Sequence, residues 1–541
     1  MSATQSTIAS KTAVRTLDAI VVGAGFAGLY MLHRLRSLGL NARIYEAASG
    51  PGGTWFWNRY PGARCDIPSL QYSYQFSDDL QQEWEWAERY ASQSEILKYV
   101  EHVIERFKLR PDIQFNTRIQ AAHFDEATGR WQVQTSTGET VSSKFCIMAT
   151  GCLSSTNVPD FRGLDSFRGK FYHTGQWPHE GVDFTGQRVA VIGTGSSAVQ
   201  SIPLIAAQAA QLTVFQRTAN FSVPAHNAPL DPAEQKRIKA NYGQLREAGK
   251  NQLLAWDIDP NAKLAADATP AEIRAECERR WRMGGLYFYG VFADLLINPE
   301  SNRVLAEFIR DKIHEQVKDP AVAELLSPKG VLGCKRICAD TNYFETYNRE
   351  NVLLVDISKS GIDEITPQGL RVGGKDYAFD AIVFATGFDA MTGSINRVDV
   401  RGRHGQKLKD KWAAGPRTYL GLSSAGFPNF FIISGPGSPS VLTCMITSIE
   451  QHVEFITECL DYLRKNQLAH IEATVEAEDR WVEHVNEVAG STLFNSCSSW
   501  YLGANVPGKP RIFMPYVGFP PYVAKCNEVV AKGYEGFALS A

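Results

Sequence analysis

Short, continuous apolar runs alternate along this chain with segments whose apolar residues recur at helical spacing. Residues 17–22 form the first run and predict a strand, which is followed by a helix over 29–38 and a strand over 42–46. The same order returns later, as a strand over 188–192, a helix near 197–209 and a strand over 212–215. Strand–helix–strand units of this length predict parallel sheets and an α/β fold with two similar units.

Two further apolar runs, at 145–151 and 381–387, each end in Ala-Thr-Gly and predict crossings between the units. Residues 224–330 are rich in charge and carry helix-start signals at Asp231-Pro232, Thr269-Pro270 and, more weakly, Asp319-Pro320. Glu234 and Glu272 are each placed to close a capping box at the first two. We therefore expect the first unit to comprise 1–150 and 387–541, the second 151–223 and 331–386, and 224–330 to be a helical insertion in the second.

A glycine loop follows the first strand of each unit. Gly23, Gly25 and Gly28 allow a tight turn, close approach of a pyrophosphate and close helix–strand packing, and Gly193, Gly195 and Ser196 occupy the second loop. The loops predict two Rossmann-like dinucleotide-binding domains. Glu46, 23 residues after Gly23, suits a ribose diol, as in FAD or NAD. In the second unit the position equivalent to Glu46, 23 residues after Gly193, is Gln216. Arg217 and Thr218 follow it, and the Arg217 guanidinium favours the 2′-phosphate of NADP.

Composition narrows the choice of partner. The chain has 541 residues, 21% of them charged, and a net charge of −3, which gives no reason to expect nucleic acid. No run of about 18 apolar residues is present, so no membrane span is predicted. The first twenty residues lack the apolar core of a secretory signal and predict a short disordered tail.

The ten cysteines are scattered and form no Cys-x-x-Cys pair. We therefore expect reduced thiols, a cytoplasmic location and no metal site. A dinucleotide-dependent disulfide reductase would need a pair of redox-active cysteines, and Cys65 has no partner nearby in the sequence. The helical insertion gives no specific sign of self-association, and a monomer is the default expectation.

Residues 52–66 are unusually rich in Gly, Trp and Arg, and residues 167–178 read Phe-x-Gly-x-x-x-His-x-x-x-Trp-Pro. This second pattern, placed before the second glycine loop, resembles the fingerprint of type I Baeyer–Villiger monooxygenases. From residue 17 to about 537 the sequence is similar to this cyclohexanone monooxygenase-like family, and most to its phenylacetone-oxidising members. Long shared stretches include 214–218, 435–440 and 499–510.

The resemblance implies a function and a set of site residues. NADPH and O2 would convert ketones to esters or lactones through a C4a-peroxyflavin, with sulfoxidation as a side activity, and Arg336, oriented by Asp66, would offset the negative charge that develops. The residues implied to contact FAD are Gly23, Gly25, Gly28, Glu46, Thr54, Trp55 and Asp66. Those implied to contact NADP(H) are Gly193, Gly195, Ser196, Arg217, Thr218 and Lys335, with Trp500 near the nicotinamide.

Substrate preference is expected to depend on positions that depart from the family pattern. We assign Cys152, Leu153, Val441, Leu442 and Met514 to the substrate pocket. Two other functions stay open, namely a related flavin monooxygenase that oxygenates nitrogen or sulfur, and a nucleotide-binding sensor. The Trp177-Pro178 ending is evidence against the first. Evidence against the second is the joint presence of Asp66, Arg217, Lys335 and Arg336, since a sensor has no need of a catalytic cation.

Overall fold

A computed structural model describes residues 14–541 of the chain, so the predicted N-terminal tail lies largely outside the described residues. Eight strands form the larger sheet. Seven of them follow one another in the order Asp399–Arg401, Ile119–Asp125, Arg130–Thr135, Thr140–Met148, Arg15–Val22, Ala42–Tyr45 and Ile113–Gln114, and Phe430–Ile432 also pairs with Thr140–Met148. The strand Arg15–Val22 lies between two parallel neighbours, and its last four residues are buried on both faces, as its continuous apolar sequence predicts.

The second sheet is entirely parallel. Its order is Val352–Asp356, Gln211–Gln216, Arg188–Ile192, Ala381–Phe384 and Lys170–His173. Three smaller sheets accompany it: Glu364–Thr366 with Gly369–Val372 and Lys375–Ala378, Ser222–Pro224 with Cys338–Asp340, and His470–Ala473 with Phe537–Ser540. The two large sheets are the predicted pair of α/β units.

Helices cover the sheets and fill the region between the strands. In the first half of the chain they are Phe26–Ser37, Thr54–Trp57, Asp78–Glu83, Gln93–Arg106, Ser196–Gln208, Pro232–Lys239 and Tyr242–Lys250. In the second half they are Pro270–Met283, Pro299–Gln316, Pro320–Leu326, Tyr343–Thr346, Gly393–Asn396, Leu408–Lys411, Met445–Lys465, Val475–Gly490 and Phe519–Ala531. None of the helices within residues 14–541 is long and apolar enough to cross a membrane.

The three predicted helix starts are confirmed, but only one of the two capping boxes forms. Thr269 and Glu272 bond reciprocally at the start of Pro270–Met283. Asp231 instead accepts a hydrogen bond from the Ala233 amide, while the Glu234 carboxylate pairs with Arg237 one turn later. The prediction of a capping box at Glu234 is therefore wrong, because the neighbouring Arg237 competes for the Glu234 carboxylate.

The two units are in direct contact. The Tyr60 hydroxyl, in the Gly- and Trp-rich segment of the first unit, donates to Gln200 Oε1 on the second unit's helix Ser196–Gln208 at 2.8 Å. Gly62 lies so close to that helix that a Cβ atom would be 2.5 Å from the Gln200 carbonyl oxygen. This contact brings the two glycine loops to opposite sides of one cavity.

Candidate active site

A cavity of about 510 Å³ lies between the units, and most of the predicted site residues line it. On the first unit's side its wall includes Gly23, Gly25, Glu46, Thr54, Trp55 and Asp66. On the second unit's side it includes Gly195, Ser196, Lys335 and Arg336, and Trp500 also lines it. The fold therefore brings together residues that are up to 477 positions apart in the sequence (500 − 23 = 477).

The first glycine loop has the geometry of a phosphate cradle. Gly23 has φ +106°, and a Cβ atom there would lie 2.6 Å from the Ala149 carbonyl oxygen. At Gly28 a Cβ atom would lie 1.9 Å from the Gly23 carbonyl oxygen, so the helix packs too tightly for any side chain. The N-terminus of the helix Phe26–Ser37 has no side-chain cap, and its free amides are available to an anion.

Glu46 is buried at the end of the second strand. Its two carboxylate oxygens accept hydrogen bonds from the Ala24 amide at 2.6 Å and the Ala48 amide at 2.7 Å. These bonds fix the carboxylate at the cavity wall, and each oxygen keeps a lone pair for a ribose hydroxyl. The side chain thus fits a dinucleotide with an unmodified ribose.

The second glycine loop repeats the first. Gly193 has φ +115°, and a Cβ atom there would lie 2.5 Å from the Ala385 carbonyl oxygen. The helix Ser196–Gln208 also begins without a side-chain cap. Each glycine loop therefore packs against the Ala-Thr-Gly turn of its own unit. The sequence alone did not indicate this contact.

Two cations lie beside the second loop without a counter-ion. The strand Cys338–Asp340 pairs with Ser222–Pro224, which follows the strand Gln211–Gln216, and this pairing carries Lys335 toward Arg217. Burial and the charge of Arg217 lower the pKa of Lys335. Within residues 14–541 neither side chain takes part in an ion pair, so the two form a ready site for a phosphate.

The fingerprint segment connects the second unit to this region. His173 is buried, its Nδ1 accepts a hydrogen bond from the Gly175 amide, and its Nε2 lies 3.4 Å from the Thr386 hydroxyl of the second Ala-Thr-Gly turn. Burial lowers the pKa of His173, so the ring is neutral at pH 7. Thr174 contacts Ser197 on the helix after the glycine loop at 3.0 Å. These contacts join the fingerprint segment to the second Ala-Thr-Gly turn and to the helix after the second glycine loop.

Arg336 crosses from the second unit to pair with the first. Its Nε and Nη2 donate to the two Asp66 carboxylate oxygens at 2.5 and 2.9 Å, and its Nη1 donates to the Val441 carbonyl at 3.1 Å. Burial lowers the pKa of the Arg336 guanidinium, but the charge and hydrogen bonds of Asp66 raise it by more. The guanidinium therefore carries a permanent charge and is held in one orientation at the cavity wall.

Tyr289 holds the chain on both sides of Arg336, a contact that sequence reasoning missed. The Ile337 amide donates to its hydroxyl at 3.2 Å, and the hydroxyl donates to the Lys335 carbonyl at 3.5 Å. The aromatic ring also lies against Gly333, where a Cβ atom would be 3.2 Å from it. No pattern in the sequence connects Tyr289 to a segment some 46 residues later.

An apolar cluster adjoins Arg336. All five predicted pocket residues, Cys152, Leu153, Val441, Leu442 and Met514, belong to it, together with Met391 and aromatic residues of 494–513. Cys152, Leu153 and Val441 line the cavity itself. The cavity next to the guanidinium is therefore suited to an apolar molecule with one polar group.

The expectation that every thiol is reduced is wrong for one pair. Cys334 and Cys497 form a disulfide, with Cα atoms 6.4 Å apart and a sequence separation of 163 positions. The other eight cysteines are free and buried. The pairing was not predictable, because the separation is long and neither cysteine belongs to a recognisable motif.

Known proteins resemble the chain over nearly its whole length. A family described as pyridine nucleotide-disulphide oxidoreductase matches residues 20–255. A Baeyer–Villiger monooxygenase of Pseudooceanicola batsensis is 44% identical over 530 residues, covering 97% of this chain and 96% of that protein. A phenazine N-monooxygenase of Lysobacter antibioticus is 40% identical over 527 residues, covering 96% and 97%.

Solved structures give the same picture. An oxidised steroid monooxygenase bound to NADP has a TM-score of 0.93 and 51% identity, covering 97% of this chain and 99% of the other. The enzyme OTEMO in complex with FAD and NADP has a TM-score of 0.93 and 40% identity, covering 97% and 100%. The chain belongs to the Baeyer–Villiger monooxygenase family. The family and the fold class inferred from the sequence are thereby confirmed.

As a Baeyer–Villiger monooxygenase, the chain places most of its predicted site residues around one cavity. On the cofactor side Gly28 and Gly193 do not line it, and Arg217 and Thr218 lie at the exposed outer edge, where the Thr218 carbonyl accepts a hydrogen bond from Thr194. An outer position suits contact with the far, phosphate-bearing end of a dinucleotide rather than with its reactive ring.

Proposed function

We propose that this chain oxidises apolar ketones to esters or lactones with NADPH and O2, at the cavity between its two units. The observation that carries the proposal is the Asp66–Arg336 pair, which fixes a permanent cation beside an apolar pocket and between two dinucleotide-binding loops. The cofactors are FAD and NADP(H).

The residues present fit both cofactors. The first loop, with Glu46, suits the pyrophosphate and ribose of FAD, and the second loop, with Lys335 and Arg217, suits NADP. The FAD-binding part is assigned to 1–150 and 387–541, and the NADP-binding part to 151–223 and 331–386, with 224–330 as its helical insertion. When bound, the flavin, reduced by NADPH, supplies the activation of O2.

The protein's own contribution is position and charge. Arg336 faces the reacting atoms and stabilises negative charge that develops there. Asp66 holds the guanidinium in a fixed orientation through two hydrogen bonds. A cation about 4 Å from an anion contributes roughly 4 kcal/mol at an effective dielectric near 20. Trp500 and the apolar cluster exclude water from the same space, which strengthens the interaction.

Ketone preference is assigned to Cys152, Leu153, Val441, Leu442 and Met514. Cys152, Leu153 and Val441 line the cavity, and Leu442 and Met514 pack in the apolar cluster behind them, so the pocket selects by shape and apolar area rather than by hydrogen bonding. We further propose a monomer in the cytoplasm, since eight of the ten cysteines are free, as a reducing compartment favours, although the Cys334–Cys497 bond is an exception to that pattern.

Oxygenation of nitrogen or sulfur is the second candidate, and the similarity to phenazine N-monooxygenase favours it. Purified, FAD-loaded protein should be mixed with NADPH, O2 and a panel of substrates that includes linear, cyclic and aryl ketones as well as sulfides and amines. The masses of the products are then determined by mass spectrometry. Esters or lactones heavier by one oxygen support ketone oxidation. Oxygenated sulfides or amines without any ester assign the chain to the second candidate, and absence of NADPH oxidation rejects both.

A further inference from the structure

The disulfide lies at a position that the proposed reaction does not explain. Cys334 directly precedes Lys335 and Arg336, and Cys497 lies three residues before Trp500. The bond therefore joins the segment that bears Lys335 and Arg336 to the segment that bears Trp500, and all three residues line the cavity.

The segment around Trp500 has little structure of its own. Residues 491–518, here called the Trp500 strap, contain no α-helix or strand and only two short 3₁₀ turns, Leu493–Ser496 and Trp500–Leu502. Polar contacts attach the strap to another part of the wall: Lys509 pairs with Asp389 at 2.6 Å, and Asn505 donates to the Phe388 carbonyl at 2.7 Å.

The disulfide has no substitute. Within residues 14–541 no hydrogen bond joins residues 333–337 to the Trp500 strap. Among these residues, the disulfide is therefore the direct bond between the two segments. The 333–337 side is fixed independently, through the Tyr289 hydroxyl. Opening the disulfide would therefore free the part of the strap around Trp500, which stays attached at Asn505 and Lys509, and leave the two cations in place.

The two sulfurs differ in access. Cys334 is buried, whereas Cys497 is half-buried and flanked by the exposed Ser496 and Ser498. A thiolate that attacks the bond can approach at Cys497 and displace the Cys334 sulfur. A disulfide with one accessible sulfur responds to the surrounding thiol pool, in contrast to one enclosed on both sides.

We propose that Cys334–Cys497 is a reversible covalent modification site that controls how tightly the enzyme holds NADP(H). The inference rests on the proposed function only in taking the cavity as the NADP site. A cellular dithiol supplies the two electrons and two protons: its first sulfur forms a mixed disulfide with Cys497, its second sulfur closes a cyclic disulfide, and both protein thiols are released. The freed strap must then be ordered again whenever NADP(H) binds, which weakens binding.

The first measurement is a thiol count on aerobically purified, FAD-loaded protein, unfolded without reductant. The proposal expects eight reactive thiols, matching the eight free cysteines, and ten after treatment with a trialkylphosphine, which is oxidised to its phosphine oxide as water supplies the oxygen and the protons. Ten thiols before any reduction would mean that the bond does not form, and would overturn the proposal.

The second measurement is the dissociation constant of NADP⁺ for the folded holoenzyme before and after reduction. We expect it to rise about fivefold or more on reduction and to return after removal of the phosphine and reoxidation. Cys497→Ser should behave as the reduced enzyme and no longer respond to phosphine, whereas Cys277→Ala, at a free cysteine in the helix Pro270–Met283, should respond as the wild type does.

Equal NADP⁺ binding at eight and at ten thiols, or a Cys497→Ser enzyme that still responds, would refute the inference. Because the readout is NADP⁺ binding, it is independent of ketone chemistry. Lack of ester formation with an intact redox response would count against the proposed reaction alone. Flavin content, measured in each sample, separates loss of the strap from loss of the fold.

Discussion

Selectivity for NADPH over NADH should depend on Arg217 and Lys335, and to different extents. Both cations lack a counter-ion within the described residues and lie together beside the second glycine loop. Arg217 is exposed, so solvent screens its contact with a phosphate, whereas Lys335 is half-buried at the cavity wall. The two substitutions therefore have separate expected magnitudes.

For the exposed cation, loss of a screened ion pair costs about 1 kcal/mol, so Arg217→Ala should raise the KM for NADPH about fivefold. For the half-buried cation, loss of a charged hydrogen bond costs about 2 kcal/mol, so Lys335→Ala should raise it about thirtyfold. The KM for NADH should change less than about twofold in both, since NADH lacks the 2′-phosphate.

The assay is steady-state oxidation of each nicotinamide cofactor at fixed O2, with flavin content checked for every variant. Arg168→Ala, at another exposed arginine of the second unit, is the matched control and should leave both values unchanged. Equal increases for NADPH and NADH would show that Arg217 and Lys335 do not bind the 2′-phosphate, because the effect would then lie on the nicotinamide half or on folding.

Three further predictions concern the same cavity. Since burial and Arg217 lower the pKa of Lys335, its proton is lost as pH rises toward the ordinary lysine range, so the KM for NADPH should rise with a midpoint below 10.5; a KM independent of pH up to that value would contradict this. Asp66→Asn removes the counter-charge of Arg336 and should lower kcat for ketone about tenfold or more while the KM for NADPH stays within about twofold, and unchanged ester yield would count against the pair. Gly28→Ala places a Cβ atom 1.9 Å from a carbonyl and should abolish flavin retention, whereas Gly243→Ala, with open space around its Cβ atom, should retain flavin and melt no lower than the wild type.

The sequence predicts the local features well and the long-range ones unevenly. The strands and helices around both glycine loops lie within a few residues of their predicted bounds, because continuous apolar runs and glycine turns specify them locally. The helix Pro299–Gln316 was not among the predicted starts. It begins, as the three predicted helices do, with a capping side chain, here Asn298, followed by a proline. Where a local signal has a competitor, as at Glu234 with Arg237, the tertiary arrangement decides the outcome.

The candidate site shows the same division. Asp66 and Arg336 were assigned from a family resemblance, and the structure adds that the two side chains form a two-point ion pair between the units. The roles of Tyr289 and of the Cys334–Cys497 bond depend on contacts between distant loops. No periodicity or spacing encodes such contacts, so they are accessible only from the folded chain.

Transfer of one atom of dioxygen to a ketone in this cavity can be tested by supplying ¹⁸O2 and NADPH with an aryl or cyclic ketone. The label in the product is determined for the wild type and for Arg336→Met. We expect an ester or lactone that carries one ¹⁸O atom from the wild type, and NADPH oxidation without ester from the variant. Unlabelled product, or equal labelled ester from both proteins, would exclude the proposed role of the cavity and of Arg336.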